Sequence, residues 1–399
     1  MKGSRDASAT LEKLIKTNHS QAVRLDAIVY YFTNEPIRVY ELKAALDQAR
    51  RRSAPGADRI TFQMLRNLAD AEKERLLECF NTIWGTGFLP ESWLVAAVTP
   101  ILKSRKPAIA LSSYRPVSLT SAACKAMERV ALARLEWIAA QLQYFPEQQS
   151  GFRCQRCTAD SISDVVATLE DAKATGDVAM LVLLDVKSAF NGLPHAVIEA
   201  CLDHLGLSGC LRCFISAFLT SRTFRVRVGQ ELSEPRDITT GVPQEAALSS
   251  FLFNMALAGL PASRPADPRF PVRCSIYADD VAPWTRGPRK FMPSIRCSLQ
   301  RALDAVTAFL GSIGLTVSTA KTEAMLIHPL ASARRYTKQL KIAGRALPWQ
   351  QMAEVAVWTS AWFLAEVSQL AQNRRCDKRE RRPNLSLVAA ARKSHACGR

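Results

Sequence analysis

An α+β fold, an antiparallel sheet covered by helices, is what this 399-residue sequence predicts, and three observations predict it. Val178–Leu184 is an unbroken apolar run that ends in a carboxylate, Asp185, as a buried strand does where it reaches the edge of a core. Two short runs, Arg273–Tyr277 and Val281–Thr285, bracket Ala278-Asp279-Asp280, the pattern of a hairpin. Segments of helical period lie between these strands, so that the chain from Val178 to Val317 reads β-α-α-β-α-β-β-α-β.

The elements follow in order. Residues 1–35 are polar and weakly patterned. Val39, Leu42, Leu46 and Ala49 have helical spacing, and Ser53-Ala54-Pro55-Gly56-Ala57-Asp58 reads as a turn. One amphipathic helix is expected over Gln63–Trp84, stopped by Gly85 and Gly87. Val95–Leu102 reads as a strand leading into the basic loop Lys103-Ser104-Arg105-Lys106-Pro107, and Ser121–Gln143 and Thr158–Thr175 as helices. After the strand ending at Asp185 come helices Pro194–Leu205 and Ser208–Leu219. Phe224, Val226 and Val228 then alternate with Arg225 and Arg227 in a half-buried strand with a basic face. Ala246–Leu257 and Ser294–Leu310 read as helices, Leu315–Val317 and Ala324–His328 as strands.

With 48% apolar and 22% charged residues the chain can bury a sizeable core, which excludes a disordered chain, a collagen-like repeat and a disulfide-stapled miniprotein. The balance of 53 Lys+Arg against 36 Asp+Glu gives +17. Arg374–Arg399 holds nine basic and two acidic residues, so +10 remains on the rest. A body-wide positive bias points to a polyanionic partner, nucleic acid before an anionic membrane surface. Met1-Lys2-Gly3-Ser4-Arg5-Asp6 opens no apolar signal region, and the longest apolar run is far below the ~20 residues that span a bilayer. Met352–Ala371 is apolar on average but interrupted by Glu354 and Glu366. The expectation is an intracellular, unsecreted protein with no membrane partner, nucleus and cytoplasm being equally open. Eleven cysteines, odd in number and irregular in spacing, read as reduced, buried thiols. Cys154-x-x-Cys157 and Cys210-x-x-Cys213 lie too far apart for a zinc ribbon, and His195 after Pro194 reads as a helix-start residue.

The chemistry concentrates in three acids. Adjacent carboxylates repel, so Asp279 and Asp280 beside Asp185 call for a cation. Mg²⁺, a hard ion that takes carboxylates plus substrate phosphates, would supply it, and two such ions about 4 Å apart serve in-line phosphoryl displacement. An isolated Asp-Asp pair is equally a polar hairpin turn, and composition and spacing alone leave both readings open.

The surrounding residues carry a resemblance. Tyr277-Ala278-Asp279-Asp280 resembles the palm hallmark of reverse transcriptases, and further blocks stand in the matching order. Ala54-Pro55-Gly56-Ala57-Asp58-Arg59-Ile60 is similar to the N-terminal block of non-LTR (LINE-type) retrotransposon enzymes. Pro100-Ile101-Leu102-Lys103, Tyr114-Arg115-Pro116-Val117-Ser118-Leu119 and Gln149-Ser150-Gly151-Phe152-Arg153 are similar to fingers blocks. Asp185-Val186-Lys187-Ser188-Ala189-Phe190 and Gly241-Val242-Pro243-Gln244 through Leu252-Phe253-Asn254 are similar to the first two palm motifs, and Gly314-Leu315 through Lys321-Thr322-Glu323 to a downstream one. The resemblance spans Val39 to Leu347 and is nearest in character to transposon proteins of ticks and other arthropods.

It implies the fingers and palm of a right-hand polymerase, with a fingers-like region over 36–175 and a palm over 176–347. The implied activity is RNA-directed DNA synthesis, taking an RNA template, a DNA primer and deoxynucleoside triphosphates. Asp185 and Asp279 would hold two Mg²⁺ ions (Mn²⁺ being the substitute), with Asp280 assisting and the Val186 carbonyl joining from the backbone. Phe190 would be the steric gate against a 2′-hydroxyl, though an aromatic beside such an acid is also an ordinary core residue. Lys103 and Arg115 would grip the triphosphate, Gln244 would line the nucleotide and template pocket, and Lys321 would give a proton to the leaving pyrophosphate. Without the motif, Lys103, Arg115 and Lys321 are plain surface charges. Arg153, Arg225 and Arg227 would contact the nucleic-acid backbone.

The pattern also breaks. Glu245 stands where the second palm motif has glycine, which lets a backbone approach its substrate closely. Ser250 replaces a proline, and Pro283 falls in the strand after the acid turn, where it removes a ladder donor unless that strand is an edge. Beyond Leu347-Pro348-Trp349 no Tyr-Leu-Gly primer grip follows. Residues 348–399 read as a basic tail, disordered or frame-shifted, with the thumb absent and no endonuclease or RNase H-like pattern elsewhere. A catalytically inactive, nucleic-acid-binding remnant is therefore the alternative to an active polymerase.

Overall fold

In a computed structural model the protein is described over residues 29–350, apart from 31, 51–52, 104–105 and 331. The expectations for the tail beyond 350 and for residues 1–28 lie outside the described residues.

The N-terminal part is helical. α1 (Val39–Gln48) buries Leu42, Ala45 and Leu46, the stripe its spacing predicts. The single helix expected over Gln63–Trp84 is two, α2 (Phe62–Asn67) and α3 (Asp70–Thr86). The chain extends at Leu68 and restarts where Asp70 and Glu72 place negative charge on a helix N-terminus. α4 (Ala122–Gln141) is capped by Ser121, whose Oγ accepts the Ala123 and Cys124 N–H groups at 3.2 and 3.5 Å. Its Arg134 is buried but fully used. It makes a bidentate pair with Glu41 at 2.9 Å and donates to the carbonyls of Phe32, Glu35 and Pro36 while lying over Trp84. Gly56, in the expected turn, sits so close to the start of α4 that a Cβ would lie 2.7 Å from Ser121 N.

Two larger sheets follow, along with a small antiparallel hairpin of β11 (Leu340–Ile342) and β12 (Arg345–Leu347). The first sheet joins β1 (Val95–Leu102), β2 (Tyr114–Leu119), β4 (Thr223–Val228), β5 (Glu231–Leu232) and β6 (Arg236–Asp237). β1 pairs antiparallel with β2 and parallel with β4. β2 was not expected as a strand, because Pro116 obscures it. β4 lies beyond residue 176 yet pairs with β1, so the first sheet draws strands from both the 36–175 and the 176–347 regions.

The second sheet has the order β13-β10-β3-β8-β7, with β3 Val178–Lys187, β7 Arg273–Tyr277, β8 Asp280–Gly287, β10 Glu323–Ile327 and β13 Trp349–Gln350. β9 (Thr316–Val317) pairs with Val186 and Lys187 at the end of β3. β13 runs parallel to β10 and the other main pairings are antiparallel. Both faces are covered, which is why β3 reads as a continuous apolar run. Ala179, Leu181, Ala282, Trp284, Met325 and Ile327 pack under α5 (Thr158–Thr175), with Trp284 Nε1 donating to Thr168 Oγ1 at 3.2 Å. Val178, Met180, Val182, Leu184 and Val186 face the main core with Ile295, Leu299 and Leu303 of the long helix Met292–Ser312.

Three expectations need correction. β8 is not an edge strand, yet it carries the buried Pro283. The β3–β8 ladder skips Val182–Leu183 opposite Ala282–Pro283 and resumes in the same register at Leu184↔Val281, so the missing donor falls in a local gap. The helix expected from Ala246 starts at Ser249, after a left-handed residue at Glu245. Of the nine cysteines described, all free, only Cys124 and Cys274 are buried, while Cys79, Cys154, Cys213 and Cys297 are exposed. In the helix Gly209–Leu219 the buried face is Leu211, Phe214, Ile215 and Phe218, off the Cys210–Cys213 line.

Candidate active site

β3 leaves the core at Asp185, and the strand register sets Asp185 directly opposite Asp280. Both lie on the face of the sheet that α5 covers farther along, since Ala282 and Trp284 share Asp280's side of β8 and Leu181 shares Asp185's side of β3. Asp279 stands in the turn of the β7–β8 hairpin, and its carbonyl accepts the Val186 N–H at 3.2 Å, locking the turn to the strand end. The Asp185 carbonyl accepts Ser318 N–H at 2.8 Å, which brings the loop carrying Lys321 alongside. Lys321 Nζ donates to both Asp185 carboxylate oxygens at 2.9 Å.

A second support lies beneath the turn. Ser150 N–H donates to the Ile276 carbonyl at 3.0 Å and Ile276 N–H to Gln148 at 2.8 Å, adding one more extended segment to the hairpin edge. A Cβ on Gly151 would run into Ala278 N and lie 2.9 Å from the Tyr277 carbonyl carbon. The Gly151 carbonyl accepts from buried Asn254 Nδ2 at 2.6 Å, and Gln149 Nε2 donates to the Asn254 carbonyl at 2.9 Å. No supporting role for Gln149, Gly151 or Asn254 was read from the sequence; the glycine inside Gln149-Ser150-Gly151 was the available sign of close backbone approach.

Electrostatics marks the turn. Burial pushes the Asp279 carboxyl above the usual carboxylate range and the Asp185 charge adds to this, against its own backbone hydrogen bond and the Lys321 and Arg115 cations. Arg115, exposed on β2, thus belongs to the same field as the acids although it comes from the other sheet. Among the described residues no three His, Cys, Asp or Glu side chains stand together as a group that could hold a metal ion. The donors present are carboxylate oxygens, and one pair already holds the Lys321 ammonium. An open set of hard oxygen donors fits Mg²⁺, which completes its shell with phosphates and water.

The other expected residues divide into those at the acids and those elsewhere. Phe190 is half-buried, its ring 5.0 Å from Phe253 and 6.2 Å from Phe152, and its carbonyl accepts Val242 N–H at 2.8 Å. That bond and Gly241 N–H to Leu193 (2.8 Å) fasten the loop Gly241–Leu248 to the segment after Asp185, and His195 Nε2 lies 2.8 Å from the Gly241 carbonyl. A Cβ on Gly241, whose φ is 79°, would be 2.6 Å from Asn191 backbone atoms. Gln244 Nε2 reaches Asn191 Oδ1 at 3.5 Å. Lys103 is exposed past the end of β1. Arg225 is exposed and Arg227 half-buried on β4, in the first sheet. Arg153 is engaged within its own loop: Nη1 donates to the Pro146 and Gln149 carbonyls at 2.8 Å, and the guanidinium lies over Phe145.

Comparison with known proteins joins these observations. Residues 101–358 match the family model described as "Reverse transcriptase (RNA-dependent DNA polymerase)". The chain is 31% identical over 251 residues to the "Probable RNA-directed DNA polymerase from transposon BS" of Drosophila melanogaster, covering 62% of this chain and 28% of that protein. It is 30% identical over 271 residues to the "RNA-directed DNA polymerase from mobile element jockey" of the same fly, 67% of this chain and 29% of that one. It is 29% identical over 244 residues to the "Retrovirus-related Pol polyprotein from type-1 retrotransposable element R2" of Popillia japonica, 59% and 32%. The chain spans about a third or less of the length of these relatives. A match over most of the chain, containing the strand-end acid and the acid turn, makes this protein a member of the reverse transcriptase family, of the non-LTR retrotransposon type.

Proposed function

We propose that this chain is the fingers and palm of an RNA-directed DNA polymerase that extends a primer 3′-hydroxyl with deoxynucleotides on an RNA template. One observation carries the reading: Asp185 and Asp280 face each other across the β3–β8 ladder with Asp279 in the adjoining turn, beside cations from two other segments.

In this reading Asp185, Asp279 and the Val186 carbonyl would hold the divalent ions, with Asp280 assisting. When bound, Mg²⁺ (or Mn²⁺) supplies activation of the attacking hydroxyl and charge neutralisation on the leaving oxygen. The chain's own groups do the rest. Lys103 and Arg115 orient the triphosphate, Arg115 from a strand whose charge already reaches Asp279. Lys321, held beside Asp185, would give its proton to the departing pyrophosphate. Phe190 packs under the sugar, with Phe152 and Phe253 stiffening it, and Gln244 borders the pocket. Arg225 and Arg227 add phosphate contacts that give affinity without sequence selectivity; Arg153 contributes by shaping its loop. The partners are an RNA template, a DNA primer and deoxynucleoside triphosphates inside the cell. Among the described residues no helix is long and apolar enough to cross a membrane.

Primer extension on poly(rA)/oligo(dT) with Mg²⁺ tests this: extension by the parent protein that disappears in Asp279→Asn supports the assignment, and extension unchanged in Asp279→Asn refutes it. A second reading, a nucleic-acid-binding remnant without turnover, is favoured by Glu245, which is exposed at φ 74° where L side chains are strained. Salt-sensitive binding without extension, restored to extension by Glu245→Gly, would establish it.

A further inference from the structure

α4 buries a carboxylate completely. Glu128 is 0% exposed, and burying a charged group demands compensation. Its Oε2 accepts the backbone N–H of Ala247 at 2.6 Å, and its Oε1 accepts the Cys124 thiol at 3.5 Å. Among the described residues no Lys or Arg nitrogen forms an ion pair with it within 4 Å. The short bond to one main-chain amide is its closest contact, and the Lys125 and Arg129 charges act on it from the same helix.

That amide closes the loop bearing Gln244. The loop starts at Gly241, left-handed against Asn191, and turns again at Glu245 with φ 74°. Its first half is fastened to the Phe190–Leu193 segment and its end by Ser249 Oγ to the Pro243 carbonyl at 2.8 Å. Between these, Glu128 reaches in from 119 residues upstream. Lys125, one turn earlier on α4, lies close enough to Glu245 to feel its charge. α4 in turn follows directly on β2, which bears Arg115.

We propose that Glu128 is a positioning residue that sets the 241–248 loop, and through it Gln244, against the acids; the inference rests on the polymerase reading for its kinetic consequence. Loss of the carboxylate frees the loop amide, and the nucleotide then meets a pocket wall that is no longer fixed. A charge-assisted bond of this kind corresponds to a change of roughly tenfold or more in the equilibrium it controls.

The test uses the full chain and two readouts. In Glu128→Ala, hydrogen exchange of the peptide containing Ala247 is expected to speed up at least about tenfold. The KM for deoxynucleotide should rise by a similar factor, while primer–template affinity changes little and exchange outside the loop stays at the parent's rate. Glu128→Gln, which keeps an acceptor oxygen, should recover most of both losses. Unchanged exchange at Ala247, or exchange faster across the whole molecule with Glu128→Gln no better, overturns the proposal. If Glu128→Ala does not fold, Glu128→Asp, one methylene shorter, is read the same way. A parent protein that extends no primer defeats the polymerase reading, yet the exchange arm still decides whether Glu128 holds the loop.

Discussion

Two turns border the site, and they are held in different ways. The acid turn has Ala278 at φ 56° and the 241–248 loop has Glu245 at φ 74°, so each keeps an L residue in the left-handed region. Ala278 is buried, and its hairpin is clamped by main-chain bonds from Gln148 and Ser150 and by the missing Cβ of Gly151. Glu245 is exposed, and its loop is closed by the side chain of Glu128. Backbone ladders leave little to side-chain identity, whereas a side-chain strut over a strained residue depends on it. The acid turn therefore depends underneath mainly on the space that Gly151 leaves, and the second loop depends on the side chain of Glu128.

The largest effect should come from the acid turn itself. Asp279→Asn is expected to cut primer extension about a thousandfold or more, measured as initial rate at saturating nucleotide. The same substitution should stabilise the fold at neutral pH. Because the Asp279 carboxyl is raised in the folded protein, its proton favours the native state. That contribution is complete below the ordinary value of 3.8 and lost as pH rises through the raised value, so the gain from Asn should appear in melts at pH 7 and vanish below 3.8. A variant melting lower than the parent at pH 7 contradicts this sign.

Next comes the clamp. Gly151→Ala drives a methyl into the Ala278 backbone, and a loss of about 3 kcal/mol in urea unfolding is expected. A loss under 1 kcal/mol would mean that the acid turn can slide, erasing the contrast between the two loops. Glu245→Gly should move the other way, gaining about 1 kcal/mol by releasing left-handed strain. Its extension rate should rise if the strained glutamate is what restrains activity. Ala278→Gly should be the smallest, within about 0.5 kcal/mol, as relief of the same strain is offset by the loss of a buried methyl.

Much of the site was legible because its signals are local. The apolar run before Asp185 predicts β3, and Tyr277–Asp280 between two runs predicts the hairpin. Thr158–Thr175 was bounded correctly, its end marked by left-handed Gly176. What was missed depends on remote neighbours. The break at Leu68 and the strand β2 through Pro116 follow no simple period. Arg153 reads as a free cation until its loop folds around it.

By itself the sequence determined the central strands, most helices and the placing of three acids at a strand end and a hairpin turn, since periodicity, turn chemistry and motif order are written within a few residues of each other. Only the tertiary structure decided that β4 joins β1, that a proline fits inside a central strand, and that Glu128 props the loop of Gln244. Each of these joins groups far apart in the chain, or depends on which ladder bonds a neighbouring strand leaves out, and spacing along one segment carries no record of that.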